Sequence, residues 1–129
     1  MSSFVNENNK SLLKKQVPQL DLALLQSYFD LMGREMLERM SVLYKQQATI
    51  YLLDIAKAQL TDSRDSWQEH CHKMKGAAAS AGLKGVHYLL VSLEKTTAAQ
   101  AEKGLLLAKL TQKNEQAIAA FDDWLARIN

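Results

Sequence analysis

Proline and glycine are scarce in this sequence, which leaves little material for turns and irregular loops. The 129 residues include one proline and five glycines. Alanine, leucine, glutamine, lysine and glutamate are abundant and β-branched residues are few, as is typical of helices. No alternating apolar and polar pattern of useful length indicates a strand. The sequence therefore predicts an all-α fold.

Short breaks interrupt the helical periodicity and divide it into five predicted helices. Short connections between long amphipathic helices make neighbouring helices antiparallel. We therefore expect an up-down antiparallel four-helix bundle with a short extra N-terminal helix. The predicted helices run from about 21 to 33, from there to 60, from about 64 to 81, from 86 to a fading end near 101–104, and from about 105 to 128.

One side of the long second helix is predicted to face the core of the bundle. Apolar residues recur along that side at the spacing of a single helix face. The predicted core residues of this helix are Met36, Met40, Leu43, Ile50, Leu53 and Leu60.

The chain is long enough for one domain. Its first 19 residues are polar, and we predict a flexible N-terminal lead-in over 1–19 and the folded domain over 20–129. The lead-in lacks the apolar centre of a signal peptide, and no apolar run reaches the roughly 20 residues needed to span a membrane. The single cysteine cannot form an internal disulfide. We expect a cytoplasmic protein that does not bind membranes.

Several function classes are disfavoured by what the sequence lacks. The formal net charge is only +2 and the charges are spread along the chain, whereas nucleic-acid-binding proteins usually carry a basic cluster. There is no phosphate-binding P-loop, no Gly-rich dinucleotide turn, no GxSxG and no HExxH motif. We therefore expect neither a nucleic-acid-binding protein nor an enzyme with a deep substrate pocket.

The third helix carries an exposed histidine opposite its predicted core face. At about 100° per residue, His72 points about 130° away from the middle of the apolar stripe. Gly76 follows one turn later on the same side, although a glycine inside a helix costs about 1 kcal/mol relative to alanine. Lys75 lies three residues after His72, within reach of its ring. The stripe predicted to face the core comprises Trp67, Cys71, Met74 and Ala78.

This arrangement suits a histidine that carries a negatively charged group, and a phosphoryl group fits best. Neutral imidazole is a nucleophile near pH 7, the lysine offsets added charge, and the glycine lets another molecule approach. Two other interpretations stay open from the residues alone: His72 and Lys75 as a solvated face, and Gly76 as a helix defect or a contact with another helix. A metal site at His70, Cys71 and His72 is excluded, because residues two apart lie on different helix faces.

The run His72–Ala78 resembles the signature of histidine-containing phosphotransfer (HPt) domains, which is a histidine, any residue, an aliphatic residue, lysine, glycine and two small residues. A second glycine, Gly82, follows six residues after the first. The resemblance extends over about residues 20–129 and includes the break at Asp30–Gly33 and the pair Leu93–Glu94. It implies the four-helix-bundle fold of that family.

The resemblance also implies a role for each residue of the motif. His72 would be the phosphoacceptor, Lys75 would balance the phosphoryl charge, and Gly76 would leave room for a receiver domain. Glu94 matches a position where the family often carries Glu or Gln, and it would either accept the second ring N–H of the histidine or be an ordinary surface glutamate. The implied docking surface consists of Lys73, Lys75, Gly76 and Ala79 with parts of the neighbouring helices.

The implied function is that of a phosphoryl carrier in a bacterial two-component phosphorelay, without kinase activity of its own. Its partners would be the receiver domain of a hybrid sensor kinase and a response regulator, and the protein would act as a monomer. No cofactor is expected on this chain, because the magnesium ion and the acidic pocket belong to the receiver. The alternative is a helical docking module that binds a receiver or a kinase without being phosphorylated. A pure binder needs no nucleophile, which argues against that alternative.

Overall fold

The computed structural model describes residues 18–128, and within this range the chain forms five helices and no strand. The predicted all-α fold, a four-helix bundle with a short extra N-terminal helix, is confirmed. Residues 1–17 of the predicted lead-in lie outside the described range. At the end of the lead-in, the carbonyl of Gln19 accepts a hydrogen bond from the Gly85 N–H at 3.2 Å. The helices are α1 (Leu22–Met32), α2 (Arg34–Leu60), α3 (Arg64–Ser80), α4 (Lys84–Glu94) and α5 (Gln100–Arg127).

The helices α2, α3, α4 and α5 form a ring in which each packs against two of the others. α2 contacts α3 and α5, and α4 contacts the same two helices from the opposite side, while α1 packs on α2.

Side-chain caps define two of the helix starts. The Asp21 carboxylate accepts the Leu24 N–H at 3.1 Å before α1, and the Ser63 hydroxyl accepts the Ser66 N–H at 3.2 Å before α3. Such caps satisfy backbone donors that have no partner within the helix.

The predicted boundary between the last two helices is wrong by several residues. α4 ends at Glu94 and α5 begins at Gln100, whereas the sequence predicts a start near 105. Thr96 and Thr97 are poor helix formers. The hydroxyl of Thr96 also accepts a hydrogen bond from the backbone N–H two residues later at 3.2 Å, which stabilises the turn. The next helix therefore begins at Gln100, three residues after Thr97.

The core face of α3 is as predicted. Trp67, Cys71, Met74 and Ala78 are fully buried. Trp67 donates its indole N–H to the carbonyl of Leu93 at 2.8 Å, which ties α3 to the end of α4. Burial raises the pKa of the Cys71 thiol to about 12. The thiol is therefore protonated near neutral pH and acts as a small core residue.

The predicted core face of α2 is wrong. Only Met40 is even half-buried among the six residues assigned to it. Leucines near the end of the helix are the most exposed of the set, at 66% and 73%. The predicted core residues that the structure places at the surface are Met36, Leu43, Ile50, Leu53 and Leu60.

The buried face of α2 combines small side chains with a polar-tipped one. Tyr44 donates its hydroxyl to the amide oxygen of Asn114 in α5 at 2.6 Å, so its polar group is satisfied in the core. Alanines on the same face allow α3 and α5 to approach closely. Hydropathy alone favours the more apolar outer face, because it does not register these pairings. The buried residues of α2 are Leu37, Tyr44, Ala48, Ile55 and Ala58.

Gly82, in the turn after α3, has a left-handed conformation that glycine adopts without strain. Its φ is +74°, and a Cβ atom added there would lie 2.6 Å from Cδ2 of Leu25, which is fully buried. We expect Gly82→Ala to lower the free energy of unfolding by about 2 to 4 kcal/mol, through backbone strain and overpacking together. Urea denaturation of the two proteins measures this difference. Equal stability would contradict the described turn between α3 and α4.

Candidate functional site

His72 lies near the middle of α3 on the face opposite the core. Its side chain is 66% exposed, as the helical spacing predicts. Gly76, one turn later, is also exposed, and a Cβ atom added to it would meet no other atom within 4 Å. Packing against a neighbouring helix therefore does not require this glycine. That removes the close helix contact as an explanation for its presence.

Glu94, at the end of α4, joins His72 and Lys75 into one cluster. Its carboxylate oxygens lie 3.3 and 3.4 Å from Nδ1 of His72. One of these oxygens also lies 2.8 Å from Nζ of Lys75. The Glu94 and Lys75 side chains are only 22% and 24% exposed, so their interaction is partly shielded from solvent. The structure thus brings together the three residues that the sequence singles out for chemistry.

The charge on Glu94 decides the tautomer of the imidazole. The hydrogen bond from Lys75 holds the pKa of the Glu94 carboxyl below its usual value; burial opposes this effect, and the hydrogen bond from His72 adds to it. An ionised carboxylate only accepts hydrogen bonds. Its hydrogen bond with Nδ1 therefore requires the proton to be on Nδ1, which leaves the lone pair on Nε2.

The antiparallel packing of α3 and α4 makes this cluster, because 22 residues separate His72 from Glu94 along the chain. A second contact joins the same two helices: Nδ1 of His87 lies 3.3 Å from the carbonyl oxygen of Lys75. Sequence reasoning misses this contact. The available signal is the seven-residue spacing of His87 and Glu94, which places both on one face of α4.

The residues predicted for docking surround His72 on two sides. Lys73 pairs with Glu69 at 3.0 Å and lies toward α2. Lys75 lies toward α4. Ala79 is exposed near the end of α3. These predicted docking residues therefore form a rim around the histidine on α3, between α2 and α4.

A groove of about 300 Å³ runs between α2 and α3 next to this rim. Gly76 and Ala77 line it from α3, and Leu43 and Tyr51 line it from α2. Sequence reasoning assigns Leu43 to the core and therefore misses the apolar wall of the groove. The wrong prediction of the core face of α2 is therefore also the reason why this groove is not predicted.

The other histidine of α3 does not join the site. His70 is partly buried on the side of α2, with Nδ1 3.8 Å from the Asp54 carboxylate. Within residues 18–128, no three His, Cys, Asp or Glu side chains are close enough to share a metal ion. None of the helices in that range is long and apolar enough to cross a membrane.

The sequence model of the Hpt domain matches residues 34–128, which is most of the chain. The chain belongs to the Hpt domain family. Hpt domains take part in phosphotransfer within phosphorelays, and the resemblance carried by the motif around His72 is thereby confirmed. The matched range begins at the first residue of α2 and contains the whole four-helix bundle.

The fold of this Hpt domain is similar to that of the histidine-containing phosphotransfer domain of ArcB from Escherichia coli. The TM-score is 0.75, and the likeness covers 84% of this chain and 94% of that chain at 20% sequence identity. At this identity the likeness shows a shared fold. No curated protein matches the sequence.

Proposed function

We propose that this Hpt domain accepts a phosphoryl group on Nε2 of His72 from the aspartyl phosphate of one receiver domain and passes it to the aspartate of another. The observation that carries the proposal is the contact between the exposed His72 ring and Glu94 at 3.3 Å. It occupies Nδ1 and leaves the lone pair on Nε2. The first receiver would belong to a hybrid sensor kinase and the second to a response regulator.

The proposed transfer forms one bond and breaks one. The Nε2 lone pair attacks phosphorus, the bond from phosphorus to the aspartate oxygen breaks, and its electron pair returns to the carboxylate. Onward transfer reverses these events with a second aspartate. Phosphoryl transfer depends mainly on positioning and electrostatic stabilisation, and the receiver would supply the magnesium ion and the acidic pocket. The Hpt domain supplies a positioned nucleophile and no kinase activity of its own.

Two neighbours of His72 suit it to carry a phosphoryl group. The Lys75 ammonium lies 2.8 Å from Glu94, and its flexible stem allows it to turn toward a phosphoryl group on Nε2 and offset the added charge. Gly76 leaves open space around its backbone, which admits the loops of a receiver. A module that only docks would need the open space but not a cation that offsets phosphoryl charge.

The groove between α2 and α3 offers a docking surface beside the nucleophile. Leu43 and Tyr51 give it an apolar wall, and Lys73 places a charge at its edge. Partners that separate after every transfer use small interfaces. A monomeric carrier in the cytoplasm, where it would meet both receivers, fits this use.

Phosphoryl transfer from a phosphorylated receiver tests the proposal. The protein is mixed with each of a panel of receiver domains that carry a labelled aspartyl phosphate. We expect an adduct that is labile in acid and stable in alkali, as phosphohistidine is, and that mass spectrometry maps to His72. Binding to receivers with no adduct would instead support the docking module, for which the apolar groove would be sufficient.

A further inference from the structure

Two hydrogen-bond donors share the carboxylate of Glu94. Nδ1 of His72 lies 3.3 Å from one oxygen, and Nζ of Lys75 lies 2.8 Å from the other. The carboxylate is therefore bound to the nucleophile's ring and to the cation that would later meet the phosphoryl group. Phosphorylation of Nε2 would change the interactions of both donors with this carboxylate.

The other charged groups around the ring are already paired or face elsewhere. On α3, Glu69 and Lys73 bind each other at 3.0 Å. On α2, Asp54 lies 3.8 Å from His70, on another side of α3. From α4, Glu94 is the charged group in contact with the His72 ring. Among the described residues, Glu94 is thus the anion placed to act on the ring proton.

The proton on Nδ1 decides how readily a phosphoryl group leaves Nε2. With that proton in place, the ring departs as neutral imidazole. Without it, the ring would have to depart as an imidazolate anion, which is a much poorer leaving group. A carboxylate beside Nδ1 favours the protonated, positively charged ring. The contact that selects the tautomer before transfer therefore also acts after it.

We infer that Glu94 retains the Nδ1 proton of phosphorylated His72 and thereby keeps the phosphoryl group transferable. The inference rests on the proposed function and adds that Glu94 controls release of the phosphoryl group from the same site. Glu94 is a positioning residue, since it acts through the ring and does not touch phosphorus. The bond from Nε2 to phosphorus forms as the aspartyl bond breaks, the reverse occurs on release, and the Nδ1 proton stays in place throughout.

Lys75 strengthens this effect when it moves. As its ammonium turns from Glu94 to the phosphoryl group, the carboxylate loses its shorter contact, 2.8 Å. The imidazolium then becomes the main partner of the carboxylate, and its attraction for the Nδ1 proton rises. Arrival of the phosphoryl group thus makes Glu94 hold the Nδ1 proton more strongly. That proton in turn favours later release of the phosphoryl group.

Phosphoryl loss measured against pH tests the inference. Phosphoramidate is a small donor that phosphorylates an exposed imidazole without any receiver. It is used to phosphorylate the wild type, Glu94→Gln and Glu69→Gln. Phosphorus NMR then follows the His72 signal, identified by its absence from His72→Gln, from about pH 5 to 9. The glutamine at 94 keeps an acceptor oxygen for Nδ1 and removes only the charge. Near neutral pH we expect Glu94→Gln to lose phosphate about tenfold more slowly, because the charge that attracts the Nδ1 proton is gone.

Glu69→Gln is the matched control, because Glu69 lies one turn before His72 and binds Lys73 instead. Its profile is expected to overlay that of the wild type. An unchanged or faster loss in Glu94→Gln, or an equally slowed loss in Glu69→Gln, would overturn the inference and leave the proposed carrier function standing. Failure of every receiver to label His72, with phosphoramidate loading intact, would overturn the carrier function instead. Thermal melts establish that all variants are folded.

Discussion

Replacing His72 with glutamine is expected to abolish phosphoryl transfer from receivers to this protein. Glutamine is a good helix former, but its amide nitrogen is not a nucleophile. The His72 side chain is 66% exposed and its polar contact is with Glu94. We therefore expect the free energy of unfolding to change by less than about 0.5 kcal/mol. Incorporation of labelled phosphate and urea denaturation, measured on the same preparation, separate loss of the nucleophile from loss of the fold.

The chain contains three histidines, and the other two provide matched controls. His70 is turned toward α2, and His87 contacts the Lys75 carbonyl. His70→Gln and His87→Gln are expected to keep wild-type incorporation. Label that persists in His72→Gln and maps to His70 or His87 would show that the phosphoacceptor has been misassigned.

Substitutions at Gly76 are expected to separate helix stability from receiver docking. Because a Cβ atom there meets nothing within 4 Å, Gly76→Ala should raise the free energy of unfolding by about 1 kcal/mol and transfer nearly as well as the wild type. Gly76→Gln adds a long side chain to the surface that a receiver must approach. We expect its kcat/KM for transfer from a receiver to fall at least about tenfold, equivalent to about 1.4 kcal/mol, with no loss of stability.

A small donor and a distant position supply the controls for Gly76. Phosphoramidate loading of Gly76→Gln is expected to match the wild type, since that reaction needs no docking. Ala119→Gln adds the same side chain to an exposed site on α5, a helix that packs on α2 and α4 rather than α3, and should leave transfer unchanged. Normal transfer to Gly76→Gln would mean that receivers reach His72 from another direction.

Local helical geometry explains why the buried and exposed faces of α3 are predicted correctly from its residues. Side chains three and four apart share a face, whatever the helix later packs against. Trp67, Cys71 and Met74 are therefore buried together, and His72 is exposed on the other side. The interior glycine at 76 is likewise a local signal, because its cost to the helix is intrinsic.

Local geometry fails on α2, where two faces compete for the core. The outer face, with Ile50 and Leu53, is the more apolar one. The buried face is selected by partners far away in the chain, such as Asn114, whose amide oxygen accepts the Tyr44 hydroxyl at 2.6 Å. Close packing through Ala48 adds to that preference. Neither the hydrogen bond nor the close approach can be inferred from hydropathy along one helix.

The sequence by itself determined the helical class, the exposed place of His72 and the family signature around it, because each depends on residues within one or two helical turns. Only the tertiary structure decided what surrounds the imidazole. The turn after α3 sets Glu94 beside His72, and the same carboxylate draws in Lys75 at 2.8 Å. A distance between side chains on different helices is fixed by how those helices pack, and no spacing along the chain contains it.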